Sequence, residues 1–192
     1  MTGSELIEDL NKVTNENIEF AKKKLVYLNE NQLNWKPNDR AWSIAEVLAH
    51  LNAYSSFYHP AFIKKTENTK FRKPTENFIS SPLGRSAWKS MKLGRLKNIK
   101  RKFKAPQSYN PTISAKWLEG NVLESFLTNQ DELISIFEKS KEINIRKAKS
   151  PISLSKIIKL RMGDAFMFVV YHNERHIQQI KNLLQLQDFP KK

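Results

Sequence analysis

The chain has 192 residues, a length that fits one domain and is short for two. A hydrophobic content of 40% and an aromatic content of 10% exclude global disorder, while thirty-three Lys and Arg against nineteen Asp and Glu give a net charge of +14. The absence of cysteine excludes a disulfide scaffold, thiolate metal ligands and a cysteine nucleophile supplied by this chain. We therefore expect a single domain over residues 1–192.

No segment has the composition of a targeting or membrane-spanning sequence. Residues 1–30 lack the apolar run of a signal peptide. The longest apolar run, 165–171, is far shorter than the ~18 residues of a spanning helix. We expect no membrane span and a cytoplasmic location.

Apolar residues recur at spacings of three and four, whereas strand patterns are weak throughout, and this predicts an all-α fold. The first predicted helix covers about residues 4–29. The second covers about 43–63, unless Pro60 kinks it. Its start is well specified, because Ser43 and Glu46 have the spacing of a capping box.

Two further helices follow in the second half of the chain. One is predicted at about 118–140 and the other at about 164–186, with Asp164 as its N-cap. Four long amphipathic helices suggest a four-helix bundle.

Most of the positive charge lies between the second and third predicted helices. Residues 77–117 carry ten basic residues and no acidic one, so this segment holds +10 of the net charge of +14. Prolines and glycines within it predict an irregular linker. Apolar residues alternate with basic ones over 85–104, which leaves two interpretations. The linker either binds nucleic acid or an anionic surface, or packs its apolar side on the bundle.

Three of the four histidines have a pattern compatible with a metal site. His172 and His176 are four residues apart, which places both rings on one helix face. His50 lies on the predicted inward face of the second helix. Three imidazoles that leave open positions are typical of a catalytic metal site. The alternative is that these residues simply join the packing. His59 projects from the face opposite His50, and we expect it at the surface or in a loop.

Several polar residues are candidates for roles beside these histidines. Tyr54 and Tyr171 are candidate catalytic hydroxyl groups, with core packing as the alternative. Gln130 and Gln179 are candidate partners of imidazole N–H groups, with solvent-facing amides as the alternative. Glu174 lies ~200° around the helix from the first histidine of the pair and is a poor general base.

Two blocks of the sequence resemble a known family. Residues 34–37 (NWKP) and 41–51 (AWSIAEVLAHL) form the first block, and residues 171–180 (YHNERHIQQI) form the second. Together with the proline-containing stretch at 102–111, they resemble the DinB/YfiT-like superfamily. The resemblance implies a four-helix bundle, often a homodimer, with a long linker between helices two and three. It also implies a nickel or zinc ion on the histidines that match His50, His172 and His176.

The activities of that family are less uniform than its fold. Its members include metal-dependent hydrolases, a maleylpyruvate isomerase and S-transferases that use a low-molecular-weight thiol. The resemblance thus implies a metal-dependent enzyme that acts on a small-molecule substrate, with a divalent ion as cofactor and a small thiol as cosubstrate in the transferase case. A metal-stabilised binding module without catalysis and a nucleic-acid binder are the alternatives.

Overall fold

The computed structural model describes residues 1–96, 98–99, 103–114 and 118–191, apart from the side chain of Lys156. Within these ranges the chain forms six α-helices and one two-stranded hairpin. Among the described residues, no helix is long and apolar enough to cross a membrane.

The first predicted helix is divided in two. Helix α1 covers Gly3–Phe20, and a π-helical turn over Ala21–Leu25 ends it. A short helix α2 then covers Glu30–Asn34. The residues at the predicted end of the first helix start α2 instead, because Asn29 and Gln32 form a capping box.

Helix α3 covers Ile44–Asn68 and begins as predicted. Ser43 Oγ accepts the Glu46 amide hydrogen, and the Glu46 carboxylate accepts the Ser43 amide hydrogen. The helix continues through Pro60, five residues beyond the predicted end.

Helices α5 and α6 complete the bundle. Helix α5 covers Val122–Ser140, with Asn121 rather than residue 118 at its start. Helix α6 covers Met162–Leu184. Asp164 is therefore not the N-cap but lies in the first turn, where its carboxylate accepts hydrogen bonds from Ser81.

The four long helices form a closed ring of contacts. Helix α1 packs on α5 and α6, and α3 packs on the same two helices from the other side. Their apolar faces form two clusters, one containing Tyr54 and Val170 and the other containing Leu51 and Ile177. The mostly helical fold with a four-helix bundle is thus confirmed.

A hairpin between α5 and α6 was not predicted. Strand β1 covers Lys149–Ile152 and pairs antiparallel with β2, which covers Ser155–Arg161. The strand signal in this segment is weak, because β1 is four residues long and contains Pro151. The fold is therefore mainly, but not wholly, α-helical.

The linker is more regular than its prolines and glycines suggested. Helix α4 covers Pro82–Met91 and packs along α6, and a 3₁₀ turn covers Gln107–Tyr109. Gly84 allows the close approach of α4, since a Cβ atom there would lie 2.1 Å from an Asp164 carboxylate oxygen.

Candidate metal centre

Three histidines meet where α3 crosses α6. His50 lies two turns after the start of α3, and His172 and His176 lie one turn apart on α6. One ring nitrogen from each lies within 4.8 Å of the others. The neighbours of these residues belong to both apolar clusters, so the three imidazoles lie where the clusters meet.

Burial keeps the three rings neutral. His50 and His172 are buried, and His176 is partly exposed. Removal from water disfavours the protonated ring and lowers the pKa of His50 to about 4. The same desolvation, with repulsion from neighbouring rings, lowers the pKa of His172 and of His176 well below the ordinary value. Neutral imidazole is the form that binds a metal ion.

Hydrogen bonds orient two of the rings. His50 Nδ1 donates to the carbonyl oxygen of Tyr109 at 2.6 Å, and His176 Nδ1 donates to Gln179 Oε1 at 3.0 Å. Both acceptors fix the proton on Nδ1 and leave Nε2 with a free lone pair. Such partners are typical of metal-binding histidines.

Two of the three rings are spaced like ligands of one ion, and the full set, whose nitrogens spread over as much as 4.8 Å, must draw together for all three to bind it, since two Zn–N bonds span at most ~4.2 Å. His50 Nε2 lies 3.2 Å from His172 Nε2. Two imidazoles at the usual Zn–N distance of 2.0–2.1 Å in a tetrahedral site have their nitrogens about 3.4 Å apart. His172 Nδ1 is buried and has no hydrogen-bond partner among the described residues, whereas its Nε2 lies within hydrogen-bond distance of His50 Nε2. The donor set therefore suits a divalent ion bound by nitrogen.

Aromatic rings form one wall of this site. The Tyr54 ring stacks on His172 at 4.3 Å between centroids and lies 4.9 Å from His50. Trp42 lies 4.9 Å from His50 and stacks on His176 at 6.2 Å. Burial raises the pKa of Tyr54 to about 12, so its hydroxyl group stays protonated at neutral pH.

The two candidate tyrosines contact different parts of the molecule. The Tyr54 ring contacts two of the three histidines. Tyr171 instead packs against Trp88 at 5.8 Å, with Lys92 Nζ 4.9 Å from its ring centroid. Its described ring contacts are thus with the linker and not with the histidines.

The two candidate glutamines, Gln130 and Gln179, have different hydrogen-bond partners. Gln179 contacts His176 rather than facing solvent only. Gln130 is buried and accepts a hydrogen bond from the Asn173 side chain at 3.1 Å, so it orients the α5–α6 contact and not an imidazole.

Two residues of the site were not identified from the sequence. The Tyr109 carbonyl belongs to a linker segment, and its contact with His50 spans 59 residues of sequence. Trp42 lies within the family-like block 41–51, which gave it no predicted role beside the histidines. Neither role has a local sequence signal, because both depend on how the linker and the helix start pack over α3.

The prediction that His59 lies at the surface is wrong. It does face away from His50, but α5 covers that side of α3 and leaves His59 only 2% exposed. Its Nδ1 donates to the Glu132 carboxylate at 2.6 Å. Burial lowers the pKa of His59 below 6.5 despite the opposing effect of Glu132. The ring is therefore mainly neutral at pH 7, and the contact is a hydrogen bond rather than an ion pair.

We expect His59 to make the fold less stable in mild acid. Since its pKa is lower in the folded chain than in the unfolded one, the unfolded chain takes up the proton first as the pH falls below 6.5. The free energy of unfolding therefore falls by at most ~1.4 kcal/mol per pH unit below pH 6.5, and this effect is absent at higher pH. The free energy of unfolding is measured with urea at about pH 7.5 and about pH 5.5. Its decrease between the two pH values should be smaller in His59→Gln than in the parent. Equal losses in the two proteins would contradict this assignment.

The apolar residues of the linker divide between core and surface. Trp88 packs against the bundle, whereas Leu96 is 89% exposed. Phe103 lies with the Arg175 guanidinium 5.2 Å from its ring centroid. Lys97, Lys100, Arg101, Lys102 and Lys116 lie outside the described residues. The linker thus packs partly on the bundle and leaves other apolar groups in solvent.

Comparison with known proteins agrees with this architecture. Searches of curated proteins and of solved structures found no match. A family model described as the DinB superfamily matches residues 23–180, which include all of α3 and α5, both strands and the three histidines. This match covers most of the chain, and the protein therefore belongs to the DinB superfamily.

Proposed function

We propose that the protein is a metal-dependent enzyme whose divalent ion is held by His50, His172 and His176. The proposal depends most on one observation, the meeting of three imidazoles at the contact of α3 with α6. Zinc and nickel are the proposed ions, because imidazole nitrogen suits both. The proposed reaction is hydrolysis or transfer to a low-molecular-weight thiol, with a small molecule as the substrate.

A divalent ion in such a site lowers the pKa of a bound water or thiol, so that a nucleophile exists near neutral pH. The chain has no cysteine, and a thiol nucleophile must therefore come from a cosubstrate. His50 and His176 each hold one proton on Nδ1 and present Nε2. Tyr54 keeps its hydroxyl proton at neutral pH, and its ring stacks on His172. Tyr171, which packs against the linker, is the more remote of the two candidates.

An activity screen tests the proposal. Untagged protein loaded with zinc or nickel is incubated with ester and amide substrates in buffer, and with an electrophile plus one of several small thiols. Turnover in buffer alone supports a hydrolase, and turnover that requires one thiol supports an S-transferase. In either case His172→Ala must abolish it. If the metal binds but no substrate turns over, the protein is a metal-stabilised module and the enzymatic proposal is wrong.

Gln179 provides a test of how the ligands are oriented. Replacing it with Leu removes the acceptor for His176 Nδ1–H and should weaken metal affinity by about 10-fold to 100-fold. Gln179→Glu keeps an acceptor and should retain tight binding. Gln178→Leu is the matched control, because that amide bonds to Asn182 instead. Competition titration with a chromophoric chelator measures the metal affinity of the parent and of each of the three variants. Equal affinity in Gln179→Leu and the parent would contradict the orienting role.

The homodimer implied by the family stays a prediction. A nucleic-acid interaction through 85–104 is the less favoured function, because Trp88 packs against the bundle. Salt-dependent retention on DNA, compared between the parent and a protein with the linker Lys and Arg changed to Gln, distinguishes it from the metal-dependent function.

A further inference from the structure

The positive charge of the chain is concentrated in two segments. Besides the linker, residues 143–163 contain six basic residues and no acidic one. The two segments together hold sixteen of the thirty-three basic residues and none of the nineteen acidic ones. The rest of the chain therefore has a net charge of −2, so the excess of +14 depends wholly on these two segments.

The fold brings the two segments side by side. Helix α4 from the linker contacts strand β2 of the hairpin. Arg161 at the end of β2 donates to the carbonyl oxygen of Ile79, just before α4. Arg146 donates to the carbonyl oxygen of Asn77 at 3.2 Å. The two basic segments therefore contact each other at α4 and β2.

The hairpin combines charge with exposed apolar groups. Lys159 and Arg161 alternate with the buried Leu160, and Lys149 shares their face because it pairs with Arg161. At the far end, Leu154 is 71% exposed and Ile157 is 90% exposed. A two-stranded hairpin with an aliphatic tip and a cationic base is thus presented to solvent.

Helix α4, which contacts β2, also carries exposed apolar groups. Leu83 is 55% exposed and Ile79, just before the helix, is 43% exposed. Beside them, a cavity of about 380 Å³ is lined by Arg85 and Lys89 together with Ser80, Pro82 and Ser86. We name the α4–hairpin surface from its described members: Ile79, Leu83, Arg85, Lys89, Lys149, Leu154, Ile157 and Lys159.

We propose that the α4–hairpin surface docks on an anionic phospholipid membrane. The lysines and arginines attract the anionic headgroups, and Leu154 and Ile157 enter the boundary between headgroups and acyl chains. Aliphatic side chains combined with cations are the features that interfacial membrane binding uses. Nucleic acid is less suited to this surface, because its described exposed apolar members are aliphatic and provide no ring for base stacking.

Co-sedimentation of the 192-residue chain with vesicles tests this proposal. One vesicle preparation contains phosphatidylcholine and phosphatidylglycerol in equal parts, and the other contains phosphatidylcholine alone. The parent should bind the anionic vesicles and not the neutral ones. Leu154→Ser with Ile157→Ser should lower the partition coefficient by about tenfold or more. Lys149→Gln with Lys159→Gln should lower it by a similar factor.

Matched controls lie outside the surface. Leu186→Ser changes another exposed aliphatic residue, and Lys22→Gln with Lys24→Gln removes two exposed lysines from the α1 end. Both controls should bind like the parent. The proposal is overturned if the parent does not bind anionic vesicles, or if the two apolar substitutions leave binding unchanged. The proposal is likewise overturned if Leu154→Ser with Ile157→Ser abolishes self-association of the protein and leaves vesicle binding unchanged, because the surface would then join two copies of the chain. Retention on duplex DNA without vesicle binding would favour a nucleic acid instead.

Discussion

Replacing His172 with Ala is expected to lower the affinity for zinc or nickel by more than about 100-fold. Removing a residue that hydrogen-bonds to a metal ligand typically lowers metal affinity 10-fold to 100-fold. Removing the ligand itself should lower the affinity at least as much. His172 lies close to both other members of the set, since its Nε2 lies 3.2 Å from His50 Nε2 and its ring centroid lies 4.6 Å from that of His176.

The fourth histidine provides the control for this prediction. His59 is as buried as His50 but donates to Glu132 on the opposite side of α3. His59→Gln should therefore bind the ion as tightly as the parent. Affinities are measured by chelator competition on untagged protein, with circular dichroism to check that each variant is folded. Equal losses in His172→Ala and His59→Gln would indicate that histidine content, and not this site, determines binding.

Binding of the ion is expected to stabilise the fold. An ion that binds only the folded chain raises the free energy of unfolding by about 2.7 kcal/mol when its free concentration is 100 times its Kd. The effect should be large here because the ligands come from two helices far apart in sequence, α3 and α6, so the unfolded chain does not hold them together.

Urea unfolding with and without the ion measures this increment. His172→Ala should lose it. Phe62→Leu, a change in the core at a residue with 0% exposure, should lower stability by about 1 to 2 kcal/mol in both states and keep the full increment. If the increment persists in His172→Ala, the ion stabilises the protein from another place.

The local signals in the sequence were sufficient to predict the framework of the fold. The Ser43 capping box defined the start of α3, and that start fixes which face His50 presents. The four-residue spacing of His172 and His176 placed both rings on the same side of α6. A helix cap and a helical period act over a few residues, so they can be derived without the tertiary structure.

Features that depend on packing were missed or misassigned. The sequence predicts His59 at the surface because periodicity gives the direction of a side chain but not the helix that covers it, here α5. The sequence also predicts Asp164 as an N-cap, whereas α6 begins two residues earlier and the carboxylate accepts hydrogen bonds from Ser81. The hairpin was missed because β1 and β2 stabilise each other across a short turn and neither strand has a strong pattern alone.

The central claim is that one divalent ion binds to three imidazoles of this chain. X-ray absorption spectroscopy of the untagged, zinc-loaded protein tests it most directly. We predict one ion per chain and a spectrum with three imidazole nitrogens at about 2.0 to 2.1 Å, reduced to two or lost in His172→Ala. A spectrum without imidazole scattering, or one identical in the parent and in His172→Ala, would contradict the assignment of His50, His172 and His176 as the metal site.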